Sequence, residues 1–195
     1  MFIYLHGFNS AYNSSSDKVR ILAEHNNIMG ITYDTFESRL MILNKLKLAC
    51  SAIKDKVFIG TSLGGYYAAA LAEYYGVPSI LLNPSINPYE DLKANAGLPY
   101  TNYLTGEVKS LSNITVDSYF KQNMNLNGNA YEYVPFVAVN RDDEVIDQSN
   151  AVNTFKDFLL DIRSGGTHRY DHMKDLLPKI IDYTNTCEFI ADIDT

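Results

Sequence analysis

Tryptophan is absent from this 195-residue chain, and cysteine and histidine occur only two and four times. Two cysteines, Cys50 and Cys187, cannot make a disulfide framework, so the scaffold must be held by apolar burial. Cys50 falls within a helical apolar pattern, which fits a buried free thiol. Basic side chains are scarce as well: 16 Lys and Arg face 23 Asp and Glu, a formal net charge of −7. That balance disfavours nucleic acid or an anionic membrane as partner. No apolar run approaches the roughly 20 residues of a membrane span. The run Phe2-Ile3-Tyr4-Leu5 is too short for a signal peptide and has no basic start, so a cytoplasmic location is expected. The triplets at Asn13 and Asn113 then carry no glycan. No repeats or low-complexity tracts are present.

What is present is ordinary in amount, 46% hydrophobic and 20% charged, and ordered in pattern. Short apolar runs at 2–5, 30–33, 57–60, 79–82, 136–139 and 160–162 read as six strands. Between them, helical patterns run over 14–26, 38–53, 63–75, 151–159 and 171–184, the last with Pro178 inside it. Gly76 and Pro78 supply a stop for the third. Alternation of this kind marks a mostly parallel sheet with helices on both faces. Residues 85–134 break the alternation, being rich in Asn, Tyr, Gly and Pro. Fifty residues exceed an ordinary connection, so this stretch reads as an inserted lid on a single domain spanning 1–195. The acidic end, about 186–195, reads as a tail.

The segment Val57-Phe58-Ile59-Gly60-Thr61-Ser62-Leu63-Gly64-Gly65 raises the chemical question. It holds G-x-S-x-G between a strand and a helix, the setting of a nucleophile elbow, where a tight strained turn lifts a serine above the sheet. Chance alone would supply about 0.04 such matches at this glycine and serine content. A bland reading, a glycine turn with a capping serine, is the competitor. A phosphate loop lacks its lysine after the second glycine.

A serine needs a base, and the base an orienting acid, in the chain order Ser, acid, His. Only His168 and His172 follow Ser62. His168, in the loop after the sixth strand, is favoured over His172 at the start of the last helix. Their four-residue spacing also suits metal ligands, but no H-E-x-x-H glutamate or nearby cysteine accompanies it, so no metal and no cofactor are expected. The acid is sought after the fifth strand among Asp142, Asp143, Glu144 and Asp147, with Asp143 ahead of Asp142. Oxyanion donors are expected from the amide of Leu63 and from the loop His6-Gly7-Phe8-Asn9, Phe8 first and Asn9 second. His6 reads as a loop-ordering residue. The tyrosines at 89, 100, 103, 119, 131 and 133 either pack the lid or line a pocket.

With these residues in view, the chain resembles the YqiA-like family of small α/β-hydrolase esterases. The matching segments are Tyr4-Leu5-His6-Gly7-Phe8-Asn9-Ser10 and Gly60-Thr61-Ser62-Leu63-Gly64-Gly65-Tyr66-Tyr67-Ala68. Asn83-Pro84, Pro88, Pro99-Tyr100-Thr101, Asp143-Glu144-Val145 and Gly165-Gly166-x-His168 follow in the same order. The resemblance implies the α/β-hydrolase fold, hydrolysis of carboxylic esters or acyl thioesters, and a triad of Ser62, Asp143 and His168. The chain departs in having Asp142 before the acid and Arg169-Tyr170 after the histidine. The expected function is therefore a serine esterase acting on a small-molecule ester or thioester. The alternatives are an acyl-thioesterase, an acyl transferase, or a hydrolase-like binding protein without turnover.

Overall fold

A computed structural model describes residues 1–102, 104–124 and 133–193, with side chains up to Cys187. Its frame is a six-stranded sheet: β1 (Phe2–Leu5), β2 (Ile28–Ile31), β3 (Val57–Thr61), β4 (Ser79–Leu82), β7 (Phe136–Asn140) and β8 (Leu159–Arg163). The order is β2-β1-β3-β4-β7-β8, and every neighbouring pair is parallel. The chain starts inside the sheet, runs out to the β2 edge, and returns on the other side of β1. The order thus reverses between β1 and β3, and ligand crevices form beyond the carboxyl ends at such a point.

Side chains alternate across the strands. Ile3, Leu5, Leu81, Val137 and Val139 face one core; Phe2, Tyr4, Ile80, Leu82, Phe136 and Ala138 face the other. Because both faces are covered, the strands read as continuous apolar runs. The first core is closed by α2 (Arg39–Cys50) through Ile42, Leu43 and Leu46, and by α3 (Leu63–Tyr75). The second is closed by α1 (Asp17–Ala23) and α7 (Met173–Ile193). Cys50 and Cys187 are both buried and unbridged. Among the described residues no helix is long and apolar enough to cross a membrane.

Several boundaries differ from the sequence reading. β2 lies two residues earlier, because the Tyr33 amide donates to the His6 ring (3.2 Å) and so leaves the sheet. Helix α6 (Ser149–Thr154) stops early, since the apolar residues after it are taken by β8, where Leu159 pairs with Phe136. The acidic end read as a tail continues α7 through Ile193; residues 194–195 lie outside the described residues.

The connection from β4 to β7 has elements of its own. They are α4 (Pro88–Lys93), a hairpin of β5 (Pro99–Thr101) and β6 (Val108–Ser110), and α5 (Asn113–Asp117). Asn87 caps α4 by accepting from the Glu90 amide (3.4 Å), and Ser112 caps α5 by accepting from Thr115 (3.0 Å). Anchors tie this segment down: Thr115 Oγ1 donates to the Phe36 carbonyl (2.6 Å), and the Arg39 amide to Ser118 Oγ (2.8 Å). The Tyr67 and Tyr119 hydroxyls share a buried hydrogen bond of 2.5 Å. Tyr119→Phe would leave the Tyr67 hydroxyl buried without its partner, at a cost of about 1–3 kcal/mol. Adding Tyr67→Phe is expected to recover most of that loss, as a double-mutant cycle by denaturant unfolding would show.

Candidate active site

Ser62 stands between β3 and α3 with φ 58° and ψ −126°, a left-handed conformation that a non-glycine residue adopts only under constraint. The surrounding glycines make that constraint possible. A Cβ on Gly60 would lie 2.0 Å from the Gly64 carbonyl oxygen, and one on Gly64 would lie 2.2 Å from that of Leu5. The helix therefore starts in backbone contact with the end of β1, and Ser62 must rise out of the sheet. Its own backbone is pinned: the Ser62 amide donates to the Leu82 carbonyl (3.0 Å), and its carbonyl accepts from Ser85 (3.1 Å).

The loop after β1 passes directly beside it. A Cβ on Gly7 would sit 3.6 Å from Ser62 Oγ. His6 orders this loop, as its position suggested. Its Nδ1 donates to the Gly7 carbonyl (2.8 Å), while Nε2 accepts from the Tyr33 amide (3.2 Å). Burial lowers its pKa and keeps the ring neutral, which suits those opposite roles. Among the described residues neither the Phe8 nor the Leu63 amide has a protein acceptor. The Asn9 amide, the second choice as an oxyanion donor, is engaged by Thr35 Oγ1 (3.0 Å).

His168 reaches the same cleft from the loop after β8. Its Nδ1 faces both oxygens of Asp143, at 2.9 and 2.8 Å, and so carries the proton. Asp143 Oδ1 also accepts from the Val145 and Ile146 amides (2.9 and 3.0 Å), and Oδ2 from Gln148 Nε2 (2.9 Å). Burial alone would raise this carboxyl, but the His168 ring and these amides outweigh it and hold the pKa below the ordinary value. Asp142 instead braces the loop, its Oδ2 accepting from the Gly165 amide at 2.6 Å. Glu144 takes the His168 amide at 2.8 Å. His172 is not in the cleft; its ring packs edge-on to Tyr170 and close to Gly166.

Ser62, Leu63, Gly7, Phe8 and His168 all line one cleft of ≈ 790 Å³. The β4–β7 connection contributes Ser85, Asp91, Leu92, Asn95 and Tyr100 to its wall. Of the tyrosines singled out by sequence, Tyr100 alone among the described ones lines it, edge-on to Phe8 at 5.1 Å. Tyr119 is packed against Tyr67, Tyr89 stacks edge-on to Phe120 at 5.1 Å, and Tyr133 packs on the second core. Tyr103 and Tyr131 lie outside the described residues.

The roles of two supporting residues escaped the sequence reading. Asn83, directly after β4, and Asn140, the last residue of β7, are both fully buried. Asn83 Nδ2 donates to the carbonyls of Thr167 and His168 (both 3.1 Å), and Asn140 Nδ2 to Thr167 (2.8 Å). Asn83 Oδ1 in turn accepts from the Asn140 amide at 2.7 Å. The pair clamps the histidine loop onto the sheet. Asn83 also has φ 42°, and an asparagine after an apolar strand, a residue type that tolerates positive φ, was the one signal available.

Asp91 adds a charge at the cleft wall. Its Oδ2 accepts from Ser85 Oγ at 2.5 Å, and burial raises its pKa above the ordinary value of 3.8. A carboxyl raised on folding contributes stability that is complete below the ordinary value and lost as pH rises through the folded one. Asp91→Asn is therefore expected to raise the melting temperature at pH 7, on the order of 2–4 °C. The gain should vanish near pH 3, and a gain that persists there would refute the assignment.

Comparison with solved structures places this architecture. Est1E from Butyrivibrio proteoclasticus superposes with a TM-score of 0.68 at 18% identity, covering 98% of this chain and 86% of that one. The metagenome-derived lipolytic LipS and LipT structure gives 0.70 at 11% identity, covering 95% and 93%. A monoacylglycerol lipase from Paleococcus ferrophilus gives 0.67 at 11% identity, covering 94% and 93%. The chain has the α/β-hydrolase fold. Among curated sequences, a UPF0227 protein of Shewanella woodyi is 22% identical over 189 residues, 92% of this chain and 97% of that protein. One from Shewanella sediminis is 30% identical over 105 residues, 51% of this chain and 59% of that protein. The family resemblance read from the motifs extends along nearly the whole sequence: residues 1–185 match the family described as "Uncharacterised protein family (UPF0227)", and the chain belongs to it.

Proposed function

We propose that the chain is a serine esterase that cleaves carboxylic esters through an acyl-enzyme. One observation carries the reading: a serine with positive φ at a strand–helix turn shares a cleft with a histidine whose far nitrogen is bound by a carboxylate. A carboxylate at Nδ1 leaves Nε2 as the basic nitrogen, the one that can take a proton from Ser62. Ser62 Oγ attacks the carbonyl, and the amides of Phe8 and Leu63 receive the oxyanion. His168 then protonates the departing alcohol and afterwards activates the water that releases the acid. Asp143 fixes the tautomer and balances the imidazolium charge. Ser85, Asp91, Leu92, Asn95 and Tyr100 on the cleft wall support reading the described part of the β4–β7 connection as a lid over this site. Neighbours of the same fold that are described as lipolytic enzymes and as a monoacylglycerol lipase support hydrolysis over a silent binding role.

The test is labelling of the folded protein with a fluorophosphonate, located by peptide mass, followed by turnover of a chain-length series of oxygen esters and matched acyl thioesters. Labelling at Ser62 with ester turnover is the expected result. Label absent from Ser62 in folded protein, with no ester cleaved, overturns the reading. Faster thioester cleavage, or acyl transfer to an added alcohol in place of water, would redirect it to the sister reactions.

A further inference from the structure

Lys18 has no part in the proposed chemistry. It sits in α1, half-buried, and its ammonium donates to Thr61 Oγ1 at 2.8 Å, one residue before Ser62. It lines the same cleft as Ser62 and His168. Its ammonium has three donors, and Thr61 takes one. Thr61 does not need it, since the Tyr4 hydroxyl already meets the same oxygen at 3.0 Å.

The acids of the cleft wall are otherwise engaged. Asp17 pairs with Arg20 at 3.2 Å, and Asp171 Oδ2 accepts from the Thr167 amide and hydroxyl at 2.9 and 2.7 Å. Asp91 accepts from Ser85 at 2.5 Å. Among the described residues no carboxylate pairs with Lys18. In a chain of formal charge −7, a partly desolvated ammonium without a carboxylate is a poor structural choice. It becomes a good one if the counter-ion arrives with the substrate.

We propose that Lys18 binds an anionic group, carboxylate or phosphate, carried by the ester substrate close to its scissile carbonyl. The assignment rests on Ser62 being the nucleophile. Thr61 and Ser62 are consecutive, with Cα atoms about 3.8 Å apart. Lys18 and Ser62 line one cleft, so an anion against Lys18 and a carbonyl at Ser62 can belong to one ligand. The substrate class is a short acidic ester, such as the half-ester of a dicarboxylic acid or an ester with a terminal phosphate-like group. A half-buried ion pair of this kind is screened far less than one in open water.

Three probes of matched length separate charge from shape: monoethyl glutarate, its neutral isostere ethyl 4-carbamoylbutanoate, and ethyl 4-phosphonobutanoate. Binding is measured by calorimetry on the Ser62→Ala protein, so that no turnover intervenes, with Lys18 intact and as Lys18→Met and Lys18→Arg. The expected result is at least tenfold tighter binding of an anionic probe than of the amide. Lys18→Met should abolish that gap, and Lys18→Arg should keep most of it. Preference for the phosphonate assigns a phosphate-bearing substrate, and preference for the glutarate a dicarboxylate. Equal binding of all three probes, or an equal loss of all three in Lys18→Met, overturns the proposal. Turnover of the same probes by the unmodified protein keeps the two readings apart. Hydrolysis without charge preference defeats the anion site alone. A Lys18-dependent preference in binding without any hydrolysis defeats the esterase reading alone.

Discussion

Ser62→Ala is expected to lower kcat on a susceptible ester by about 10⁶, with the protein still folded and its melting temperature not reduced. The loss is large because attack by the serine oxygen is the step on which base and acid both act. The fold should persist because the Ser62 side chain anchors nothing else. Its structural hydrogen bonds are made by the backbone amide and carbonyl, which alanine keeps. Alanine also inherits the strain, since φ 58° burdens any residue with a Cβ. Ser62→Gly removes that strain, worth about 1–3 kcal/mol, against the roughly 0.5–1 kcal/mol by which glycine loosens the unfolded chain. The glycine variant should therefore be equally inactive and more stable than the alanine variant. Such a pair shows whether stability is held down at this position for the sake of the turn. An alanine variant keeping more than about one hundredth of the activity would instead show that another group attacks the ester.

How much of this was legible depended on whether the determining contacts were local. β1, β4 and β7 are fully buried, so runs of three or four apolar residues announced them. Helix α3 was readable to the residue. It starts at the elbow and ends where Gly76 takes φ 62° as its left-handed cap. β2 was misplaced because its end is set by the ring of His6, a contact across 27 residues. The hairpin β5–β6 was not foreseen, since three-residue strands show no period. The proposed nucleophile, base and acid came from motif order and strand ends, both of which are written along the chain. Which of two adjacent aspartates faces His168 is a matter of phase, decided in space by Gly165 claiming the other. The Asn83–Asn140 clamp is tertiary throughout, its partners lying 84, 85 and 27 residues away. Lys18 gave no signal at all, because a lysine on a short helix ordinarily belongs to solvent.

Asp143→Asn is expected to reduce kcat by about 10⁴, and Asp142→Asn by less than tenfold. The difference follows from what each oxygen accepts. Asp142 accepts one amide, from Gly165, and a carboxamide oxygen can take its place. At position 143 the Val145 and Ile146 amides both point at Oδ1, so the oxygen of an asparagine is drawn there. Its NH₂ must then occupy the Oδ2 position, 2.8 Å from His168 Nδ1 and 2.9 Å from Gln148 Nε2. Gln148 can adapt by turning its buried Oε1, which has no partner among the described residues, toward the new donor. His168 can adapt only by making Nδ1 an acceptor, which moves the ring proton to Nε2, the nitrogen that must be basic toward Ser62. The variant would then be folded, ordered and of the wrong tautomer. Its stability should move opposite to that of Asp91→Asn. The Asp143 carboxyl is held below the ordinary value of 3.8, so its contribution is present above that pH and lost as pH falls through the folded value. Asp143→Asn should thus be less stable than the parent at pH 7, with the two converging in acid. Two Asp→Asn changes in one cleft, one stabilising and one destabilising at neutral pH, separate the carboxyl bound by the base from the carboxyl forced into the wall.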